Sequence, residues 1–315
     1  MALSEFQLIE RYFHSLGGTD GVALGIGDDA AILDLPAAEQ LVVAADTLLE
    51  GVHFPADCAA ADIGYRSLAV NLSDLAAMAA TPRWFTLCLT LPAADPGWLQ
   101  DFSRGLAEAA ALGGIALVGG DTTRGPLSIS IQVMGSVMPG QALLRSGAGV
   151  GDLVAVTGTL GDAAGALSVL GEVDEHSAQL QAQYYRPRPR LAASRALRGI
   201  ATSCIDVSDG LLADLGHICR ASGVAAQLQA AQLPLSDALT ALFPDKAQGF
   251  ALAGGDDYEL CFTLPVARQA QLDRALAGLH YTIIGEIRAG SGVSCVDDDG
   301  RPLPSSQGGY EHFNA

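Results

Sequence analysis

Hydrophobic residues recur along the chain in blocks of two different periods, and the blocks predict helices alternating with strands. Phe6, Ile9, Phe13 and Leu16 return at helical intervals, Ser4 and Gln7 have capping-box spacing, and Gly17-Gly18 closes the segment. Val22 to Leu33 predicts two short strands around an acidic turn, and Leu41 to Ala45 a strand that ends directly in Asp46. Ala61 to Ala80 follows a long helical pattern that carries Asn71-Leu72-Ser73-Asp74 in its middle. Polar groups there cost free energy unless satisfied, so Asp74 stands either on a solvated face or in a site. Trp84 to Leu91 is strand-like, Pro96 to Leu112 is a helix with proline near its first turn, and Ile115 to Val118 is a short buried strand. Leu127 to Val137 alternates like a strand with one wet face.

The pattern then breaks. Residues 145–152 are small, glycine-rich and aperiodic, which places a boundary between a domain of residues 1–144 and one of residues 145–315. The second half opens with a strand, Leu153 to Thr157, and a helix after Gly161-Asp162. Arg186-Pro187-Arg188-Pro189-Arg190 reads as a solvated, proline-stiffened turn before a helix at Leu191 to Gly199, in preference to a phosphate contact. A short apolar run delivers Asp206 to its end, and Ser208-Asp209-Gly210 open a helix that runs to about Ala221. Such a helix start offers N–H groups and a positive dipole end to an anion. Ser208 and Asp209 either cap and complement the helix or join Asp206 in a metal–phosphate site. Gly254-Gly255-Asp256-Asp257-Tyr258-Glu259 leads into a strand at Cys261 to Leu264; a helix (266–279) and strands near 281–287 and 293–296 finish an α/β chain.

Composition removes whole classes of function. The net charge is −18, so the basic footprint of a nucleic-acid binder is missing. One lysine, Lys246, stands against sixteen arginines, and no phosphate loop built on lysine is present. Six scattered cysteines (58, 88, 204, 219, 261 and 295) lack zinc spacing and read as free thiols of a reducing cytoplasm. With no signal sequence and no long uncharged apolar stretch, the sequence predicts a soluble cytoplasmic protein with no membrane partner.

The stretch with the most chemistry is Gly119-Gly120-Asp121-Thr122-Thr123-Arg124-Gly125, read as a loop at a strand's end. Glycines and Arg124 suit a phosphate, whereas Asp121 repels one unless a cation lies between, so the stretch predicts a metal–phosphate site. Further acids beside glycines or strand ends (Asp28-Asp29, Asp46, Asp74, Asp206 with Asp209, Asp256-Asp257) extend it. Oxygen ligands without His or Cys fit Mg²⁺ or Mn²⁺. Gly25-x-Gly27-x-x-Ala30 spells a dinucleotide fingerprint, but Pro36 leaves no room for its crossover helix and two aspartates occupy the loop. No nucleophile elbow, Cys–His pair or zinc-protease motif occurs. Transfer to an acceptor that is itself a phosphate needs none of these, because a phosphate monoester is its own nucleophile near neutral pH. A non-catalytic Mg–nucleotide binder and a nicotinamide-dependent oxidoreductase are the readings outside this class.

Taken together, GIGDDAAIL (25–33), ADTLLEGVHF (45–54), AVNLSDLAAMAATP (69–82), GGDTTRGP (119–126), RSGAGVGD (145–152), IDVSDGL (205–211), GGDDYELCFT (254–263) and GYEHF (309–313) resemble the thiamine-monophosphate kinases, in order and over nearly the whole chain. That family shares a superfamily with aminoimidazole-ribonucleotide synthetases, selenophosphate synthetases and the hydrogenase maturation factor HypE. The resemblance implies a two-domain PurM-like fold: an N-terminal mixed sheet with helices that dimerises and binds ATP and Mg²⁺, and a C-terminal α/β domain that completes the active site. It implies a homodimer, with ATP and several Mg²⁺ ions bound between the domains, that phosphorylates thiamine monophosphate to thiamine diphosphate by in-line transfer. Carried over, the metal ligands are Asp29, Asp46, Asp74, Asp121, Asp206 and Asp209, and the ATP contacts Gly120, Asp121, Arg145 and Ser208. His53, Glu259 and Tyr310 meet the thiamine substrate, and no general base is implied. One departure concerns Ala44-Ala45, where the family often has a hydroxyl: any metal contact there must use a backbone carbonyl.

Overall fold

A computed structural model describes residues 5–303, and the chain divides into two compact units. The first (1–75 and 80–140) runs α1 (Glu5–Tyr12), β1 (Val22–Leu24), β2 (Ile32–Leu33), β3 (Gln40–Leu49), α2 (Ala60–Ala77, its last two residues in the other unit), β4 (Thr81–Leu91), α3 (Pro96–Gly113), β5 (Ala116–Arg124) and β6 (Ser128–Val137). β1 and β2 pair as a small antiparallel ribbon around the acidic turn. The main sheet has the order β3-β6-β4-β5; only β4 and β5 run parallel, and α3 makes the crossover that a parallel pair requires.

α3 shows how local signals set an element. Asp95 caps it, its Oδ1 accepting the Trp98 N–H at 2.7 Å; Pro96 occupies the first turn, and Gly114 ends it at φ +62°. Within the helix, a Cβ on Gly105 would fall 1.8 Å from the Ala61 carbonyl oxygen, so α2 and α3 cross backbone to backbone. Leu68, Leu72 and Leu75 of α2 and Leu99, Phe102 and Leu106 of α3 are fully buried. β3 differs: Leu41, Val43, Ala45, Thr47 and Leu49 are exposed, with Leu41 at 51% and Val43 at 49%.

The second unit (76–79 and 141–315) runs β7 (Asp152–Thr157), α4 (Asp162–Leu167), α5 (Glu175–Tyr185), α6 (Leu191–Leu197), β8 (Ser203–Asp206), α7 (Leu211–Ser222), β9 (Ala225–Gln229), α8 (Asp237–Leu242), α9 (Ala247–Ala253), β10 (Leu260–Pro265), α10 (Gln269–Ala275), β11 (Tyr281–Arg288) and β12 (Gly292–Val296). Its sheet has the order β12-β9-β11-β7-β10-β8, antiparallel except for β12 with β9. Val154 and Val156 point into a core with Leu211, Leu215 and Ile218 of α7, whereas Ala155 joins Leu191 and Leu197 of α6 and Leu272 of α10 on the opposite face. Both faces are covered, which is why the central strands β7 and β10 read as nearly continuous apolar runs. Among the described residues no helix is long and apolar enough to cross a membrane.

Candidate functional site

In the first unit a cavity of about 560 Å³ is lined by Ile9 and Phe13, the turn from Ile26 to Ala31, Thr86 and Leu87 of β4, and Leu117 to Thr122 of β5. Its walls are apolar on the α1 side. Carboxylates come from two separate stretches: Asp28 and Asp29 in the ribbon turn, and Asp121 on β5. The turn is tied locally, the Asp29 N–H donating to Asp28 Oδ1 at 2.8 Å.

The glycine-rich stretch is strand, not the loop its composition predicts, since β5 pairs with β4 as far as Arg124. A register shift at Phe85/Thr86 accommodates it. Gly120 has φ +149°, and a Cβ there would lie 1.8 Å from the Leu87 carbonyl oxygen, so no other residue fits. The close approach sets Asp121 on the cavity wall.

Asp46 also lies within a strand, well before the end of β3 and opposite Ile131. Ile131 pairs with Leu87 and Leu87 with Gly120, so Asp46 and Gly120 occupy opposite edges of one row across the sheet. Three strand spacings of about 4.8 Å separate them by roughly 14 Å. Asn71 holds this edge: its Oδ1 accepts the Asp46 N–H at 3.0 Å, while its Nδ2 donates to the Ser67 carbonyl at 2.9 Å. The buried amide of Asn71 is thereby satisfied at both ends. Asp74 follows one turn later and is half-buried. Beyond β3, His53 Nδ1 accepts the Leu49 N–H at 3.0 Å, which leaves the ring proton on Nε2.

In the second unit Asp206 ends β8, 5% exposed, and Ser208-Asp209-Gly210 lead into α7. The three N–H groups that precede this helix are not free for an anion. Ser208, Asp209 and Gly210 all donate to Asp214 Oδ2, at 3.0, 3.0 and 3.1 Å. Burial, opposed by the Asp209 N–H bond and reinforced by Asp206 and Asp209, pushes the Asp214 carboxyl up to about 7. Arg145 lies in the exposed glycine-rich segment, its carbonyl accepting from Ser222 Oγ at 3.3 Å. Arg145 and Asp209 both act electrostatically on His217, whose pKa is lowered first by burial, then by Arg220 and Arg145. His217, on α7, carries no motif that singles it out in the sequence.

Glu259 is 4% exposed. Its Oε2 accepts from Thr157 Oγ1 and Arg190 Nε, each at 2.6 Å, and its Oε1 from Arg190 Nη2. Burial pushes its carboxyl up, and the Arg190 guanidinium draws it only part of the way back. Arg190 is therefore a half-buried ion-pair partner of Glu259 and not simply a solvated cation; Pro187 and Pro189 beside it are buried, while Arg188 is exposed. Asp257 accepts the Gly161 N–H at 2.8 Å, and burial raises its carboxyl well above the usual range. Tyr310 lies outside the described residues.

Among the described residues no three His, Cys, Asp or Glu side chains are gathered to hold a metal ion. Asp29 and Asp121 on one cavity nonetheless suit Mg²⁺, a hard cation bound through one or two carboxylates with phosphate oxygens completing its shell.

Known proteins place this architecture. Residues 27–137 match the family model of the AIR synthase related protein N-terminal domain, and residues 149–298 that of the C-terminal domain. The class is that of a two-domain AIR synthase related protein. The chain is 47% identical to a thiamine-monophosphate kinase from Escherichia coli over 322 residues, covering 99% of each. A thiamine-monophosphate kinase crystal structure from Stenotrophomonas maltophilia superposes with a TM-score of 0.88 and 49% identity, covering 96% of this chain and 99% of that one. The structure described as AaThiL complexed with AMPPCP and TMP gives a TM-score of 0.79 at 30% identity, covering 99% of both chains. The chain belongs to the thiamine-monophosphate kinase family.

Proposed function

We propose that this protein transfers the γ-phosphoryl group of ATP to thiamine monophosphate, giving ADP and thiamine diphosphate. The observation that carries the reading is the end-to-end similarity to thiamine-monophosphate kinases, at 47% identity over 99% of the chain. The cavity bounded by Asp29, Gly120 and Asp121 supports it physically. An oxygen of the acceptor's own phosphate attacks the γ-phosphorus while the bond to the β–γ bridging oxygen breaks and ADP departs. That acceptor oxygen is already ionised near neutral pH, so no side chain has to remove a proton.

In this proposal residues 1–144 form the domain that binds ATP and Mg²⁺ and dimerises, and residues 145–315 complete the active site. Asp29, Asp46, Asp74 and Asp121 of the first unit and Asp206 and Asp209 of the second would hold several Mg²⁺ ions. The metal, when bound, would neutralise the phosphate charge that builds up in transfer. Gly120 admits the nucleotide close to the backbone, Asp121 and Ser208 contact it, and Arg145 offsets its charge. His53 presents Nε2–H to the thiamine substrate, for which Tyr310 is a further proposed contact. Glu259 does so with lone pairs that its bonds to Arg190 and Thr157 leave over. The exposed apolar side chains of β3 fit a homodimer. Six unpaired cysteines suit the cytoplasm.

Incubating the purified protein with ATP, Mg²⁺ and thiamine monophosphate, and resolving the products by chromatography, tests the reading. Thiamine diphosphate that forms only with Mg²⁺ is the expected result. ATP consumption with no thiamine diphosphate would overturn the substrate assignment, and ATP binding without turnover would overturn catalysis itself.

A further inference from the structure

Asp214 stands in the first turn of α7, 2% exposed, and its carboxylate reaches back beneath the segment that precedes the helix. Three successive backbone N–H groups, those of Ser208, Asp209 and Gly210, converge on its Oδ2 within 3.1 Å. Convergent N–H groups of this kind make a concavity that commonly holds a phosphate or another anion. Here the anion belongs to the chain.

The opposite side of the same segment is fixed by backbone alone. The Asp256 N–H donates to the Ser208 carbonyl and the Tyr258 N–H to the Val207 carbonyl, both at 2.8 Å. A Cβ on Gly255 would come within 2.4 Å of the Ser208 oxygen. Asp256 and Tyr258 hold φ of +70° and +51°, a costly conformation that persists where the surroundings enforce it. Residues 208–210 are thus clamped between the Asp214 carboxylate and the 255–258 backbone.

We infer that Asp214 is a positioning residue for phosphoryl transfer: it fixes the backbone that carries Ser208 and Asp209, and it closes their N–H groups to the nucleotide. The nucleotide then meets this segment only through side chains and the cation they hold. The inference rests on the proposed assignment of Asp206, Ser208 and Asp209 to the metal–nucleotide site, and it adds a residue that touches neither metal nor nucleotide.

The test combines variants with hydrogen exchange, in the full-length protein. Asp214→Ala removes the acceptor, and Asp214→Asn keeps one oxygen in place. In Asp214→Ala the Mg²⁺ concentration for half-maximal transfer should rise about tenfold or more, the scale lost when support of a metal ligand is removed. The KM for thiamine monophosphate should stay within about twofold, because uniform binding of the acceptor is untouched. Asp214→Asn should recover most of the Mg²⁺ response. A parental Mg²⁺ curve in folded Asp214→Ala overturns the role, as does an equal loss in both variants or a KM that rises in step with the Mg²⁺ requirement. Asp209→Asn, measured alongside, separates the two layers: a parental curve there overturns the site assignment, and the positioning role with it. If Asp214→Ala does not fold, exchange in the parent decides. Amides within residues 205–212 should be protected before any nucleotide is added and unchanged after MgATP. Protection that appears only with nucleotide would show that the N–H groups were open to phosphate.

Discussion

Asp121 reaches the cavity because Gly120 lets β5 pass within touching distance of Leu87, so the carboxylate is placed by backbone packing and not by its own contacts. Replacing it with asparagine keeps the size and removes the charge. Asp121→Asn is expected to lower kcat by roughly 10²–10³, as loss of one preorganised electrostatic group does, with an unchanged melting temperature. Steady-state kinetics and calorimetry on the same preparation check both halves. Single residues were legible in the sequence where their chemistry conflicted with their neighbours: an acid among phosphate-binding glycines announces a cation. Asp214 and Arg190 were not legible. An acid in a first helical turn reads as ordinary dipole complementation, and an arginine that closes a basic, proline-stiffened run reads as surface. Only the fold brings Asp214 to three N–H groups and Arg190 to Glu259, 69 residues away in sequence.

Between elements, Asp162 ties α4 to α8. Its Oδ1 accepts from Ser236 Oγ at 2.6 Å and its Oδ2 from Thr159 Oγ1 at 2.7 Å, while Ser236 Oγ also accepts the Leu239 N–H that caps α8. Burial raises the Asp162 carboxyl above its usual 3.8, against these hydrogen bonds. A raised folded-state pKa favours the fold while the group is protonated, fully so below the unfolded value, and that contribution is lost as pH rises through the folded pKa. Asp162→Asn, which cannot ionise, is therefore expected to gain stability relative to the parent as pH rises from about 4 toward neutrality. Denaturant unfolding at a series of pH values reads this out; a constant difference would refute it. Elements with strong period or caps, α3 above all, stood out in the sequence. β9 did not: Ala225-Ala226-Gln227-Leu228-Gln229 is short and half polar, yet it lies between β12 and β11 because its neighbours supply the pairing. β5 extends past its apolar run because glycines, which weaken a strand, here mark close backbone approach.

For the molecule as a whole, the net charge of −18 keeps copies apart except where charge is absent. The exposed row of Leu41, Val43, Ala45, Thr47 and Leu49 on β3 is such a place. Val43→Lys is expected to convert the proposed dimer to monomers in light scattering while the circular dichroism spectrum stays the same. A parental mass would move the dimer contact off this strand. The alternation of helices and strands in each unit was readable from hydrophobic period, whereas sheet order, which is set by long-range pairing, was not. One further consequence lies in the shared row of Asp46, Ile131, Leu87 and Gly120. The sheet serves as a ruler between its two acidic edges, and its graduations are whole residues. Deleting one residue from any of the four strands would slide that strand by about 3.4 Å and turn its side chains to the opposite face. Length variation among descendants of this chain should therefore collect in the turns, and the strands should tolerate substitution while refusing insertion or deletion.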